Sequence, residues 1–295
     1  MNARATMSAP LPAVTAELLL SLHQHRLLST RQALEMHMAG RSIRWAERVL
    51  STLAGRGLVA FVRPGRAGEH LHFLTLAGVR SVELLSTRVE RRSKLITPEQ
   101  AAGTLWRHTL AVNEVGIAFM RAARERDDEF GALSWRHEIA HPIPSAAGRR
   151  ELLISDALLT YIAHEPDGRL TFHYRLLELD RATVPADTLA EKLASYARLY
   201  HHTPAAREGT PGGWRALYPI FPEVVCVLAG KPRAALERRA RTVLALLNAD
   251  PSLKATPQVK PSLALLEDLS AHGPYAPIWL GADTPQRHDW LGGPA

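Results

Sequence analysis

The stretch from residue 154 to residue 196 constrains the fold more than any other part of the chain. It reads ISDALLTYIAHEPDGRLTFHYRLLELDRATVPADTLAEKLASY, with two apolar and aromatic segments separated by the turn signal Glu165–Gly168. Such segments around a Pro- and Gly-containing turn predict two strands, of which the second runs from Leu170 to Leu179. A helical pattern begins at Ala186. The stretch therefore predicts a hairpin followed by a helix.

Three acidic residues fall on the two predicted strands. Asp156 lies near the start of the first strand, and Glu178 and Asp180 lie at the end of the second. Because side chains alternate along a strand, Glu178 and Asp180 are expected on one face, with Leu179 turned into the core. Carboxylate oxygens are the ligands that Mg²⁺ prefers. The sequence therefore predicts Asp156, Glu178 and Asp180 as candidate ligands of a Mg²⁺ cofactor.

The length and composition limit the classes of protein that the chain can represent. At 295 residues it is long enough for two domains. No apolar run reaches the roughly 20 residues that span a bilayer, so we expect no membrane association. The single cysteine, Cys226, excludes an intrachain disulfide and a multi-cysteine zinc site, and it indicates a cytoplasmic protein. Residues 1–14 lack the apolar core of a signal peptide and are interpreted as a flexible tail.

The positive charge is concentrated in the first third of the chain. Residues 1–96 contain 14 Lys and Arg against 6 Asp and Glu, a net charge of +8. The remaining residues contain 22 against 23, a net charge of −1. This asymmetry is expected if the first third binds a polyanion such as DNA.

Residues 15–96 show the pattern of a winged helix-turn-helix domain. Three short helical segments are followed by two extended segments, which are joined by a basic tip rich in Gly and Pro. In such domains the third helix enters the major groove of DNA and the wing contacts the backbone or the minor groove. The predicted contacts are therefore a set of arginines, namely Arg41, Arg44 and Arg48 in the groove and Arg63 and Arg66 on phosphates. Two other interpretations remain open: a solvated basic helix face, and a dimerisation domain.

Residues 97–282 read as an α/β (α+β) domain with a mixed sheet, followed by a tail at 283–295. The predicted order is helix, three strands, helix, strand, helix and a short final strand. This order resembles that of restriction-endonuclease-like nucleases, with Asp156 and Glu178 at their two acid positions. Their third active-site position holds a lysine, expected to assist the attacking water, whereas this chain has Asp180. Lys192, two turns into the next helix, is the candidate replacement.

The acidic cluster admits three interpretations. It is a solvated strand end with a salt bridge, or a metal site that cuts DNA, or a nuclease-like fold that is inactive and serves in binding. The catalytic set of the second interpretation is Asp156, Glu178, Asp180 and Lys192. His108, on the first helix of this domain, is interpreted as a core histidine rather than a catalytic one.

The chain resembles the replication-relaxation family of actinobacterial plasmids and mobile elements. The resemblance rests on four motifs, namely His108–Glu114 (HTLAVNE), Ser155–Ala157, Leu177–Arg181 (LELDR) with Thr183, and Leu189–Tyr196 (LAEKLASY). It implies a DNA-binding protein in replication, DNA relaxation or transfer. The predicted partners are double-stranded DNA, a second copy of the chain in a homodimer, and a relaxase or replication protein. A winged-helix transcriptional regulator is the alternative of another class.

Overall fold

The computed structural model describes residues 13–64, 68–85, 96–103, 106–144, 150–202, 212–282 and 286–291. The chain divides into two compact units, Met1–Trp106 and Arg107–Ala295, which we call unit 1 and unit 2. The described residues confirm the predicted mixed α+β architecture, with helices and a mixed sheet. None of the helices within these ranges combines the length and the apolar character that crossing a membrane requires.

Unit 1 combines short helices with a small antiparallel sheet. Its described elements are α1 (Ala13–His25), β1 (Leu28–Ser29), α2 (Thr30–His37), α3 (Ile43–Gly55), β2 (Val59–Val62), β3 (Leu71–Leu74), α4 (Leu76–Leu85) and α5 (Pro98–Ala102). The strands pair in the order β1-β3-β2. The chain therefore forms three helices, with one short strand among them, before the β2-β3 hairpin.

Local sequence signals explain where these helices begin and end. Ser29 and Gln32 form a capping box at α2, with the Ser29 hydroxyl accepting the Gln32 backbone N–H at 3.2 Å. Ser42 caps α3 by accepting the Trp45 backbone N–H at 3.3 Å. Gly57, with φ of 71°, follows the end of α3 in the left-handed conformation that glycine favours. Residues at helical spacing on α3 are buried, namely Ala46, Leu50 and Leu53.

Unit 2 is built around one mixed sheet. Its elements are α6 (Trp106–Arg126, which starts at the last residue of unit 1), β4 (Trp135–Pro144), β5 (Arg150–His164), β6 (Leu170–Asp180), α7 (Ala186–His201), a 3₁₀ turn (Gly213–Ala216), β7 (Glu223–Leu228), α8 (Arg233–Ala249), α9 (Pro251–Lys254), β8 (Ser262–Leu265), α10 (Leu266–His272), β9 (Trp279–Gly281) and β10 (Arg287–His288).

The sheet order is β10-β9-β8-β7-β6-β5-β4. β6, β7 and β8 are parallel to one another, and the outer neighbours pair antiparallel. β7 reads EVVCVL and is buried along almost its whole length, because strands cover both of its edges and helices pack on the sheet. Cys226 on this strand is a fully buried free thiol. The central strand thus fixes the position of its neighbour β6, which carries Glu178.

The sheet differs from the sequence-based expectation at its margins. β4 continues through two prolines, Pro142 and Pro144, although proline usually ends a strand. Proline is tolerated there because β4 lies at the edge of the sheet, where its missing N–H leaves no neighbour unpaired. The strand β8 was not predicted, because four residues are too few to show the alternation of apolar and polar side chains that indicates a strand. The final predicted strand, β9, is flanked by β10, which lies in the segment 283–295 that was expected to be a tail.

Candidate functional site

Glu178 lies at the centre of a polar cluster beneath α7. Its side chain is 2% exposed, yet both carboxylate oxygens have a donor. The Lys192 ammonium donates to Oε2 at 2.6 Å, and the Tyr196 hydroxyl donates to Oε1 at 2.5 Å. Lys192 and Tyr196 are four residues apart on α7, so they project from the same face of the helix. The sequence-predicted pair of Glu178 and Lys192 is therefore brought into direct contact.

Asp156 on β5 joins this cluster from the neighbouring strand. Its Oδ2 accepts the backbone N–H of Leu179 on β6 at 2.7 Å. Its Oδ1 lies 3.1 Å from Nε2 of His108, which projects from the first turn of α6. The side chains of Asp156 and His108 are 21% and 35% exposed, so this side of the cluster is open to solvent. One helix and two strands therefore converge on Asp156.

The pKa shifts of the cluster follow from burial and from the neighbouring charges. Burial, together with the nearby Asp156 carboxylate, raises the pKa of Glu178 to about 8. Burial also opposes ionisation of Asp156, but the hydrogen bond and charge of His108 and the charge of Lys192 hold its pKa below the ordinary value. Burial opposes the charge on Lys192, and the carboxylates of Glu178 and Asp156 outweigh it and raise its pKa. The arrangement thus favours an ionised Asp156 beside a charged Lys192.

Asp180, the third predicted acid, forms a different interaction. Its carboxylate is 4% exposed and is held by Arg239 of α8, with Nε to Oδ2 at 2.5 Å and Nη2 to Oδ1 at 3.1 Å. Such a two-point guanidinium–carboxylate contact is strong and directional. Asp180 shares a strand face with Glu178 but bonds to α8, whereas Glu178 bonds to α7. Its predicted place in a cation site remains a prediction.

The fit of a Mg²⁺ ion can be judged from the donors that are present. Among the described ranges, no group of three or more His, Cys, Asp or Glu side chains is arranged as a metal-binding set. Asp156 and Glu178 supply two carboxylates, and each carboxylate oxygen retains a lone pair beyond the hydrogen bond that it accepts. Mg²⁺ in enzymes commonly takes one or two carboxylates and completes its shell with water and substrate phosphates. The pair is compatible with that mode of binding.

Three members of these interactions were not predicted as site residues. His108 was interpreted as a core residue, yet it contacts Asp156 and is partly exposed. Tyr196 has one signal in the sequence, its i, i+4 spacing from Lys192. Arg239 contacts Asp180 and only 13% of its side chain is exposed. No local pattern identifies Arg239, because its partner Asp180 is distant in sequence.

The predicted arginines of unit 1 are exposed wherever the structure describes them. Arg44 and Arg48 lie on α3 opposite its buried stripe, and no described carboxylate lies within ion-pair distance of either. Arg41 precedes α3, and its guanidinium lies 5.6 Å from the centroid of the Trp45 ring. Arg63 follows β2 and donates through Nε to the Gly68 carbonyl at 2.9 Å. Arg66 lies outside the described residues.

These features define a mixed α+β protein that joins a unit of short helices and a hairpin to a seven-stranded unit with a buried acid–lysine cluster. A family model described as replication-relaxation matches residues 19–212, from α1 past the end of α7. The chain belongs to this family. No curated protein and no solved structure gave a significant match. Family membership indicates a role in replication or relaxation.

Proposed function

We propose that the protein binds double-stranded DNA through unit 1 and acts in replication, DNA relaxation or transfer of an actinobacterial plasmid or mobile element. One observation carries this proposal: Arg44 and Arg48 are exposed on the side of α3 opposite its buried residues, and neither has a carboxylate partner among the residues that the structure describes. Membership of the replication-relaxation family supports the process. A relaxase or replication protein is the expected class of protein partner.

The order of elements in unit 1 supports a winged-helix mode of binding. α1, α2 and α3 precede the β2-β3 hairpin, as helices precede the wing in that class of domain. α3 would then lie in the major groove with Arg41, Arg44 and Arg48 toward the DNA. Arg63 and Arg66, on and near the hairpin connection, would contact phosphates and fix the register of the protein on the duplex.

Replacing two of these arginines tests the assignment of α3. The double variant Arg44→Ala/Arg48→Ala should bind duplex DNA more weakly, because it removes two positive charges that face the DNA and so reduces the counterion release on binding. For each lost contact the slope of log K against log salt should fall by about 0.9. Fluorescence anisotropy over a salt series measures both quantities.

Arg80→Ala, which removes an exposed arginine from α4, is the matched control. Its affinity and its salt slope should stay close to those of the wild type. If the double variant binds as the control does, α3 is not the DNA-contacting helix.

A second candidate function is Mg²⁺-dependent cleavage of DNA by unit 2, as a restriction-endonuclease-like domain. The observation that favours it is the position of Lys192, whose ammonium lies 2.6 Å from Glu178 and whose charge also acts on Asp156. A basic group thus reaches the acid pair from α7. In restriction-endonuclease-like nucleases the lysine lies on the strand instead, at the position that Asp180 occupies here. The competing interpretation is a nuclease-like fold that only binds.

In this candidate mechanism Asp156 and Glu178 would hold Mg²⁺, which supplies Lewis-acid stabilisation of the phosphate and lowers the pKa of bound water. Lys192 would donate a hydrogen bond to a phosphate oxygen or to the attacking water while remaining anchored on Glu178. His108 would orient Asp156 and favour its ionised form, as the shift in the pKa of Asp156 indicates. Tyr196 would hold the second oxygen of Glu178 in place.

A nicking assay tests this second candidate. Wild-type protein incubated with supercoiled plasmid and Mg²⁺ or Mn²⁺ should yield open circles on an agarose gel, and Asp156→Ala should abolish the product. Asp167→Ala is the matched control, because Asp167 is an exposed carboxylate in the β5-β6 turn that pairs with Arg169. Absence of nicking by the wild type would reject cleavage and leave the binding-only interpretation.

A further inference from the structure

The β2-β3 hairpin of unit 1 presents an aromatic ring to solvent. Phe61 on β2 is 52% exposed, whereas Val59 and Leu74 on the same hairpin are nearly fully buried. The core of unit 1 therefore does not account for a large apolar side chain at this position. An exposed aromatic ring close to basic side chains is the combination that sites for unpaired nucleic acid use, because the ring stacks on a base and the cations contact phosphates.

The orientation of the Phe61 ring is fixed from one side by two histidines. The ring centroid of Phe61 lies 4.8 Å from that of His70 and 6.0 Å from that of His72. His72 is itself buried, and its Nε2 lies 3.0 Å from the Thr30 hydroxyl oxygen. Because a buried and hydrogen-bonded residue backs the ring, the exposed part of Phe61 is a pre-oriented surface rather than a freely rotating side chain.

The charges around this ring favour a polyanion. Arg63 is exposed and lies two residues after Phe61, directly after the end of β2. Glu69, the acid nearest to Phe61 in the sequence, accepts the backbone N–H of Arg31 at 2.6 Å and is thereby directed to the start of α2. A second acid, Glu99, lies on α5, which packs against β2. Residues 1–96 carry a net charge of +8. A nucleic acid would gain binding affinity both from this positive charge and from stacking on the ring. A protein partner of ordinary composition would gain little affinity from the charge.

We propose that Phe61 is a stacking surface for an unpaired base, and that unit 1 binds DNA whose duplex is locally open in preference to fully paired DNA. This inference rests on the proposed binding of DNA by unit 1 and specifies its substrate. Stacking of a base on an aromatic side chain is largely independent of sequence, because every base has a π face. The arginines of α3 and of the hairpin supply the charged contacts with DNA, and Phe61 supplies the preference for an open site.

The test compares three labelled DNA probes with the full-length protein: a paired duplex, the same duplex with a central bubble of mismatches, and one of its single strands. Wild-type protein should bind the bubble more tightly than the paired duplex. Phe61→Ala should weaken binding to the bubble by about tenfold, leave the paired duplex unchanged and keep the salt slope, since no phosphate contact is lost. Phe61→Tyr should retain the preference, and Phe61→Leu should lose it although it stays apolar.

Leu84→Ala is the matched control, because Leu84 is an apolar side chain of unit 1 that is 88% exposed on α4. It should bind all three probes as the wild type does. Equal affinity of the wild type for bubble and paired duplex, or a Phe61→Ala variant that keeps the preference, overturns the inference while DNA binding stands. A wild type that binds none of the probes overturns both. If Phe61→Ala proves unstable on heating, the Tyr and Leu variants decide the question.

Discussion

Glu178 is an acidic side chain almost without solvent, and burial beside Asp156 raises its pKa to about 8. Removing a carboxylate from water costs several kcal/mol unless charges and hydrogen bonds replace the solvent. Lys192 and Tyr196 replace it on the two oxygens of Glu178, and Asp156 adds a second negative charge nearby. The residue is thus held in one rotamer, which is what a ligand or a substrate-positioning group requires.

At the residue scale we predict that the Tyr196 hydroxyl stabilises the fold through Glu178. Tyr196→Phe should lower the free energy of unfolding by about 1–3 kcal/mol, because the buried carboxyl group of Glu178 loses a hydrogen-bond partner. Tyr200→Phe is the control one turn later on α7, where the ring packs against Trp214. It should change stability by less than about 0.5 kcal/mol. Urea unfolding of both variants provides the comparison, and equal losses would contradict the role of Tyr196.

Among the secondary-structure elements, α6 approaches β4 more closely than most side chains would allow. Gly116 of α6 faces the indole of Trp135, which is fully buried. A Cβ added at Gly116 would lie 2.4 Å from Cε2 of Trp135, well inside contact distance. The close approach brings α6 onto the sheet, and the same helix carries His108 to Asp156. Packing at the middle of α6 therefore affects the position of His108 in its first turn.

At the element scale we predict that Gly116→Ala destabilises unit 2 by about 1–3 kcal/mol, because overpacking outweighs the gain in helix propensity. Gly55→Ala is the control, since a Cβ there meets nothing within 4 Å at the end of α3. That variant should be neutral or about 0.4–1 kcal/mol more stable. Thermal or urea unfolding distinguishes the two, and a stabilised Gly116→Ala would show that α6 and β4 are not in close contact.

For the molecule as a whole, buried neutral histidines make stability depend on pH. His141 on β4 is 1% exposed, and its Nε2 lies 2.8 Å from the Tyr218 hydroxyl oxygen. Burial lowers the pKa of His141 to about 4. In the unfolded chain a histidine titrates near pH 6.5. Between these two values the unfolded state binds the proton and the folded state does not, so stability is complete above pH 6.5 and falls as the pH drops.

At the whole-molecule scale we therefore predict that His141 alone lowers the free energy of unfolding by about 2 kcal/mol between pH 7 and pH 5. His141→Gln should remove that share of the pH dependence, whatever it does to stability at pH 7. His164→Gln, at an exposed histidine, should follow the wild-type curve. Urea unfolding at both pH values measures the difference, and identical pH dependence in wild type and His141→Gln would contradict the prediction.

The local patterns of the sequence were sufficient for much of the fold. The β5-β6 hairpin, α7 and the buried strand β7 follow from periods of two and 3.6 residues and from turn residues, which act over a few positions. The same alternation placed Glu178 and Asp180 on one face of β6. The mixed sheet followed from the order of these elements. The strand β8 and the continuation of β4 through two prolines depend on which neighbour is present, and local pattern does not specify a neighbour.

Only the tertiary structure decided which partner each polar group of the site contacts. Lys192 bonds to Glu178 because α7 packs on the sheet to which β6 belongs, and Asp180 bonds to Arg239 because α8 packs beside α7. His108 reaches Asp156 because the close packing of α6 on β4 directs its first turn to the sheet. These contacts join residues that are distant in the chain, and packing of whole elements, rather than local propensity, sets their distances. The sequence by itself determined the acids and the elements that carry them, and the packing of helices on the sheet selected their partners.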